Sequence, residues 1–273
     1  MSKQKTDLKL NLRQKLFLKL YCLPPPGRII GIQKGEHLGV KLRENPLVSL
    51  KKWYGDTIFE EVRGKTVVDL GCGTGEQTVG YAQEGAQKAI GVDIRPVYEP
   101  SWEWAQELGI TDRVEYTIDP LRKLGPGSID TVVSLNAFEH FHEPEKILQD
   151  VHHVLKDSGK LLVSFGPPWR APYGVHMFFM IKYPWANVFF SENTIMTVRK
   201  LYRHDGASTY DELEAGLNQM TLAKFKRIVD ESMFDFEQLE LKPVMGLNIL
   251  TRIPVVKEFF TNHVTAVLKK RLH

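Results

Sequence analysis

Three groups of residues in this sequence have types and spacings that could do chemistry. The first is Val67-Val68-Asp69-Leu70-Gly71-Cys72-Gly73-Thr74-Gly75, a short apolar run that ends in alternating glycines. Where a strand gives way to a helix, glycines let the chain turn sharply and let a ligand lie against the main chain. The N–H groups of the helix start are then free to face that ligand. The Gly-x-Gly-x-Gly spacing differs from the Gly-x-Gly-x-x-Gly of a dinucleotide site, and Glu76 follows at once. An acid there suits the helix dipole but repels a pyrophosphate. The second group is two acids at the ends of the next two apolar runs. Asp93 closes Gly91-Val92-Asp93, where a carboxylate can accept from both hydroxyls of a ribose. Asp119 follows residues 114–118, where a carboxylate can accept from an adenine amino group. Each of these also fits a plain turn or helix cap. Together, at successive strand ends, they read as a nucleoside site, because ligands of open α/β sheets bind at the carboxyl ends of the strands. The third group holds candidate bases: Glu139, His140 and His142 after the fourth apolar run, and His176 further on. Imidazoles and carboxylates are the usual proton acceptors near neutral pH, although each is equally at home as a cap, core or surface residue.

The elements around these groups alternate. Residues 46–62 read as a helix with proline in its first turn, and 66–70 as a strand. A helix over 76–84, a strand over 88–92, a helix over 100–108 and a strand over 114–118 follow. Residues 129–135 are a strand, and 144–155 a helix with Ile147, Leu148, Val151, Val154 and Leu155 on one side. Asp157-Ser158-Gly159 reads as a turn before a fifth strand over 160–165. This alternation predicts an α/β fold with a parallel sheet and right-handed crossovers. The rhythm breaks at Gly166 for about fifty residues, then resumes with a helix over 221–233 and strands near 236–243 and 263–268. The break is rich in aromatic residues, among them Trp169, Tyr173, Phe178, Phe179, Trp185, Phe189 and Phe190. So long an insertion is expected to be a lid or a binding wall, with Trp169 and Tyr173 as candidate substrate contacts; an ordinary small core, built with the first helix, is the plainer alternative.

At these residues the sequence resembles the class I, Rossmann-like S-adenosylmethionine (SAM)-dependent methyltransferases. Val68-Asp69-Leu70-Gly71-Cys72-Gly73-Thr74-Gly75 is similar to the family's first motif, Gly91-Val92-Asp93 to its ribose-binding acid, and Asp119 to the acid near the adenine. Ser128-Ile129-Asp130-Thr131-Val132-Val133-Ser134 resembles the lead into the fourth strand. Leu155-Lys156-Asp157-Ser158-Gly159-Lys160 resembles the family's turn before the fifth strand, with Asp-Ser in place of the usual Pro-Gly. The resemblance runs from about residue 53 to the end and is weakest over 166–218. It implies a seven-stranded, mostly parallel sheet whose last strand is antiparallel. It also implies SAM as cofactor: Asp69, Gly71, Cys72, Gly73 and Gly75 around its methionine part, Asp93 and Ile94 at the ribose, and Asp119, Pro120 and Leu121 at the adenine. Asn136, Glu139 and His140 would then lie near the sulfonium and the acceptor, with His176 as a further catalytic candidate. The Asn-Pro-Pro-Tyr motif of adenine, cytosine and glutamine-amide methyltransferases is absent, and the likeness is to the broad subgroup acting on small molecules and lipids. A small, apolar or lipid-like acceptor is therefore expected. A SAM-binding scaffold without turnover and an RNA methyltransferase are the alternatives. An NAD(P)-dependent oxidoreductase is disfavoured by the glycine spacing and by the lack of a Tyr-x-x-x-Lys pair.

The bulk composition narrows the classes. With 273 residues, 42% hydrophobic and 25% charged, the chain has material for one globular α/β domain with additions. A net charge of +3 demands no nucleic-acid partner, and no nucleic acid is expected. The two cysteines, Cys22 and Cys72, lie far apart, and no metal is expected. The most apolar stretch, 175–190, is broken by Lys182 and Pro184, so a cytoplasmic protein without a membrane span is expected. Residues 1–40 form a distinct extension. Lys3, Lys5, Lys9, Arg13, Lys15 and Lys19 face only Asp7, while Leu8, Leu12, Leu16 and Leu20 recur every fourth residue. This predicts an amphipathic helix that docks on the methyltransferase domain of residues 41–273 through its leucines; contact with a membrane surface is the alternative. The oligomeric state is left open.

Overall fold

The computed structural model describes residues 8–27 and 43–271. The start of the basic run (Lys3, Lys5, Asp7) and the boundary near residue 40 lie outside the described residues. Seven strands form one sheet: β1 Thr66–Leu70, β2 Lys88–Val92, β3 Val114–Thr117, β4 Ile129–Leu135, β5 Leu155–Phe165, β6 Phe234–Pro243 and β7 Thr261–Lys270. Their order is β3-β2-β1-β4-β5-β7-β6. β1 to β5 pair in parallel, and β7 runs antiparallel to both β5 and β6. The Rossmann-like seven-stranded arrangement expected from the sequence is therefore present.

Strand residues alternate between two cores because successive side chains point to opposite faces. Val68, Val132, Leu161 and Val163 face one layer, formed with Leu148 and Val151 of α5 and with Phe225 and Ile228 of α8. Val67, Val133 and Leu162 face the other, formed with Leu50 of α2, Val79 of α3 and Trp104 of α4. Here α2 is Val48–Tyr54, α3 Glu76–Gln83, α4 Glu99–Glu107, α5 Pro144–Val154 and α8 Leu222–Asp230. The strand order reverses between β1 and β4, which opens a crevice at their carboxyl ends.

Two expectations are corrected locally. The helix over 46–62 is broken: α2 stops at Gly55, whose φ of 79° ends it, and a 3-10 turn over Asp56–Glu61 follows. Asp157-Ser158-Gly159 is not a free turn but part of β5, accommodated by a register shift between Ile129 and Thr131.

The insertion after β5 builds a third core with the N-terminal helix α1, Leu12–Tyr21. It contains the short helices α6, Ala186–Phe189, and α7, Glu192–Arg199. Phe17, Met177, Met180, Ile195, Met196 and Tyr210 are buried together in it. The chain after α1 adds an extended piece to the insertion: Cys22 bridges Ile181, and the Leu23 N–H donates to the Met180 carbonyl at 2.8 Å. Docking of the extension is thus observed, but through a different face than the leucines predicted. Gln14 and Phe17 are buried, whereas Leu12, Leu16 and Leu20 are 84%, 49% and 48% exposed. The insertion offers Phe17 an aromatic and thioether pocket, with Phe190 at 4.7 Å, and nothing comparable to the leucines. Among the described residues, no helix is long and apolar enough to cross a membrane.

Candidate cofactor and acceptor site

At the carboxyl ends of β1, β2 and β4 lies a cavity of about 710 Å³. One side is lined by Gly71, Gly73, Asp93, Ile94, Ile118 and Asp119, the other by Asn136, His140, Phe141, Leu213, Glu214 and Gly216. Pro120 and Leu121 also border it.

The glycines of the first loop have different causes. A Cβ on Gly75 would fall 2.5 Å from the Tyr116 ring, whose hydroxyl donates to the Gly75 carbonyl at 2.8 Å. Gly75 is therefore a packing glycine, and it is not part of the cavity lining. A Cβ on Gly73 would meet nothing, and its backbone has a φ of 53°, so this glycine turns its main chain towards open space where a ligand can lie. Asp93 holds the loop in place: one carboxylate oxygen accepts the Gly73 N–H at 2.9 Å and the other the Arg95 N–H at 3.0 Å. Each oxygen keeps a further lone pair for a ligand hydroxyl.

Asp69 and Cys72 sit behind the loop rather than in the cavity. Asp69 is buried and accepts the Thr78 hydroxyl at 2.8 Å. Burial, with Asp93 and Glu76 near, pushes its carboxyl up to about 7. Cys72 is buried beside it, and burial raises its thiol well above the ordinary range. At the far end, Asp119 is half exposed and paired with Lys123 at 2.6 Å. Ile94 and Ile118 are 84% and 57% exposed in the cavity wall. Two exposed aliphatic side chains at neighbouring strand ends suit a flat apolar ring such as adenine.

On the other wall, Asn136 has a left-handed backbone, φ 53°, and leads into a 3-10 turn over Phe138–His140. Glu139 is buried; one carboxylate oxygen accepts the Gly166 N–H at 3.1 Å, and the other has no hydrogen-bond partner among the described residues. Burial raises its pKa, and His140 opposes that rise. Nδ1 of His140 lies 2.8 Å from the Gly216 carbonyl, and Nε2 of His176 lies 2.9 Å from the Pro167 carbonyl. Burial lowers the His176 pKa. The structure thus brings His176 to the neighbouring pair Glu139 and His140, and of the three only His140 borders the cavity. It does not bring Trp169 and Tyr173 to the cavity. Trp169 packs edge-on against Tyr210 at 4.9 Å, and the Tyr173 hydroxyl donates to the Lys182 carbonyl at 3.4 Å. His142 is exposed and paired with Asp211 at 2.7 Å.

Several lining residues escaped the sequence reading. Ile118 was within reach, being the apolar residue next to Asp119. Residues 211–216 had no local signal, because they reach the cavity only through the path of the insertion. They are tied there by Asn218, whose N–H donates to the Glu139 carbonyl and whose side-chain amide donates to the Phe138 and Phe141 carbonyls. Arg95 and Glu214 add an ion pair of 3.6 Å between the two walls.

Comparison with known proteins agrees with this geometry. Residues 68–163 match the family described as a methyltransferase domain. A ubiquinone biosynthesis O-methyltransferase of Xanthomonas euvesicatoria is 32% identical over 108 residues, covering 38% of this chain and 44% of that protein. An uncharacterized protein of Haemophilus influenzae is 30% identical over 132 residues, 45% of this chain and 52% of its own length. The chain spans about half the length of the curated relatives it matches. Among solved structures, a geranyl diphosphate methyltransferase in complex with SAM is similar with a TM-score of 0.54 at 13% identity, covering 90% of this chain and 93% of that one. That likeness concerns the fold. The methyltransferase-domain match falls on β1 to β5, the same strands whose ends carry the glycine loop and the two acids that border the cavity, so residues 68–163 are similar to a methyltransferase domain within a Rossmann-like fold.

Proposed function

We propose that this protein transfers a methyl group from SAM to a small, apolar or lipid-like acceptor that carries one polar reacting group. The observation that carries this reading is the single cavity that joins a nucleoside-shaped end, with Gly73, Asp93, Ile94, Ile118 and Asp119, to an end bearing His140. Its size suits a cofactor of SAM's dimensions together with part of a small acceptor. When bound, SAM supplies a methyl group on a positively charged sulfur.

The protein's own work is then to align the acceptor and take its proton. Asp93 would hold the ribose hydroxyls, and the Gly73 main chain would border the amino-acid part. The Gly216 carbonyl can only accept, so His140 carries its ring proton on Nδ1 in the neutral form. The lone pair is left on Nε2, which makes His140 the candidate base for a hydroxyl acceptor. Phe141 and Leu213 give the acceptor end an apolar lining. The insertion acts as the acceptor-side cover through residues 211–216, in place of Trp169 and Tyr173. The ubiquinone O-methyltransferase relative supports an oxygen acceptor on an apolar molecule. The outward leucines of α1 lie among Lys9, Arg13, Lys15 and Lys19, all exposed, which suits a lipid surface as the source of such an acceptor.

Calorimetric titration is expected to show SAM and its demethylated product binding one per chain, with NAD(H) not binding. Turnover of labelled SAM against hydroxylated aromatic and prenylated acceptors separates an enzyme from a binding scaffold. NAD(H) binding without SAM binding would end the reading.

A further inference from the structure

We propose that Glu139, His140 and His176 form a binding site for a divalent transition-metal ion beside the acceptor end of the cavity, which His140 alone of the three borders. One ligand-capable atom from each residue lies within 4.8 Å of the other two. An ion with bonds of about 2.0–2.2 Å draws its ligand atoms to roughly 3–4 Å from one another, a closure within reach of small side-chain rotations.

The protonation pattern makes the cluster a site rather than a coincidence. Both imidazoles turn one nitrogen to a main-chain carbonyl, His140 through Nδ1 and His176 through Nε2. A carbonyl only accepts, so each of those nitrogens carries the ring proton. The opposite nitrogens, Nε2 of His140 and Nδ1 of His176, are left with lone pairs. Anchoring one ring nitrogen on a carbonyl is also how metal-bound histidines are oriented. Glu139 is 2% exposed, its Oε1 is taken by the Gly166 N–H, and its Oε2 has no hydrogen-bond partner among the described residues. A buried carboxylate oxygen without a partner is costly. Neither imidazole forms a hydrogen bond with that oxygen. Among the described residues, no Lys or Arg forms an ion pair with Glu139. Three groups that each offer a lone pair, gathered within 4.8 Å of one another, suit a positive centre.

Two imidazole nitrogens and one carboxylate oxygen select a first-row ion such as Zn²⁺, Mn²⁺, Fe²⁺ or Co²⁺ over Mg²⁺ or Ca²⁺, which prefer all-oxygen shells. Three protein ligands leave open positions for water or for an acceptor oxygen. The site itself stands on geometry alone. That the ion would hold an acceptor oxygen as its anion rests on the methyl-transfer reading above, with His140 then serving as ligand rather than base.

The test uses the full chain stripped with a chelator and titrated with Co²⁺ and Mn²⁺, followed by calorimetry and, for Co²⁺, by visible absorption. One ion per chain is expected. Glu139→Gln keeps an acceptor for the Gly166 N–H, and His176→Ala removes one ring; each is expected to weaken the ion about 100-fold or more. SAM affinity of both variants, measured without metal, reports that the fold is intact. If stripped wild-type chain binds SAM but takes up no ion, or if both variants bind the ion as wild type does, the proposal is overturned while the cofactor reading stands. Uptake lost in both variants, in a chain that methylates no acceptor, supports the metal site while the methyl-transfer reading falls.

Discussion

The cavity wall that carries Asp93 and Asp119 comes from strand ends and turns within residues 71–121, whereas the facing wall is gathered from residues 136–147 and 211–216. On the first wall, position follows from local chain geometry: a glycine turn, an acid joined to it by one hydrogen bond, two aliphatic residues at neighbouring strand ends. On the second wall, nothing is local. His140 is steadied there by Gly216; behind it, Glu139 is held by Gly166 and His176 by Pro167, and the insertion that brings these together rests on a core containing Phe17 of α1. A change at residue 17 should therefore reach the second wall and leave the first nearly intact.

The largest expected effect tests that dependence. Phe17→Ala removes a fully buried ring from the third core and is expected to cost about 3–5 kcal/mol of stability. Leu16→Ala, one residue away and 49% exposed, should change stability by no more than about 0.5 kcal/mol. Chemical denaturation of the two variants compares them directly. Equal losses would mean that α1 docks through its leucines after all. At a temperature where Phe17→Ala is still folded, SAM affinity should hold while acceptor turnover drops.

A smaller effect is expected at the first wall. Asp93→Ala should weaken SAM by about 2–4 kcal/mol, from two hydrogen bonds to a charged group with an allowance for non-additivity. The same change releases the Gly73 and Arg95 N–H groups, so Asp93→Asn, which keeps one acceptor, should lose less. Calorimetry that finds wild-type affinity in a folded Asp93→Ala protein would place the ribose elsewhere.

The smallest effect is a pH slope. Burial raises Asp69 to about 7, so between about pH 4 and 7 the folded chain holds a proton that the unfolded chain has released. Stability from this group therefore falls as pH rises through that window and is flat above it, by at most about 1.4 kcal/mol per pH unit. His263, pushed down to about 4 by burial with Lys52 and Lys242 near, acts in the opposite sense: its contribution is lost as pH falls from 6.5 towards 4. The difference in unfolding free energy between wild type and Asp69→Asn isolates the first group. That difference should shift against wild type from pH 4 to 7; a constant difference would mean that Asp69 ionises as freely in the fold as outside it.

What could be read from the sequence divides along the same line as the walls. The sheet, its crossovers and the glycine loop were legible because apolar alternation and turn residues are properties of neighbouring positions. Asp93, Asp119 and Leu121 came with them. The two-part region over 46–62 was not, because Gly55 acts as a helix stop in the middle of an otherwise periodic stretch. The leucines of α1 form the clearest apolar stripe in the N-terminal segment, yet periodicity cannot say which face finds a partner. Phe17 wins because the insertion supplies aromatic and sulfur contacts where it lands. Trp169 and Tyr173 were chosen for closeness to β5, and that closeness is what lets the insertion fold over them. The pairing of Glu139 and His140 with His176 depends on how the chain leaves β5 and returns, which no window of residues encodes.

Asn218 gives this architecture a mechanical property. Its backbone N–H and side-chain amide hold the Glu139, Phe138 and Phe141 carbonyls, while Gly216, two residues earlier, both borders the cavity and holds the His140 ring. The segment that borders the cavity is thus fastened to the turn that carries Glu139 and His140. Displacing residues 216–218 therefore strains the bonds that hold the 138–141 turn, and a shift of that turn strains the same bonds from the other side.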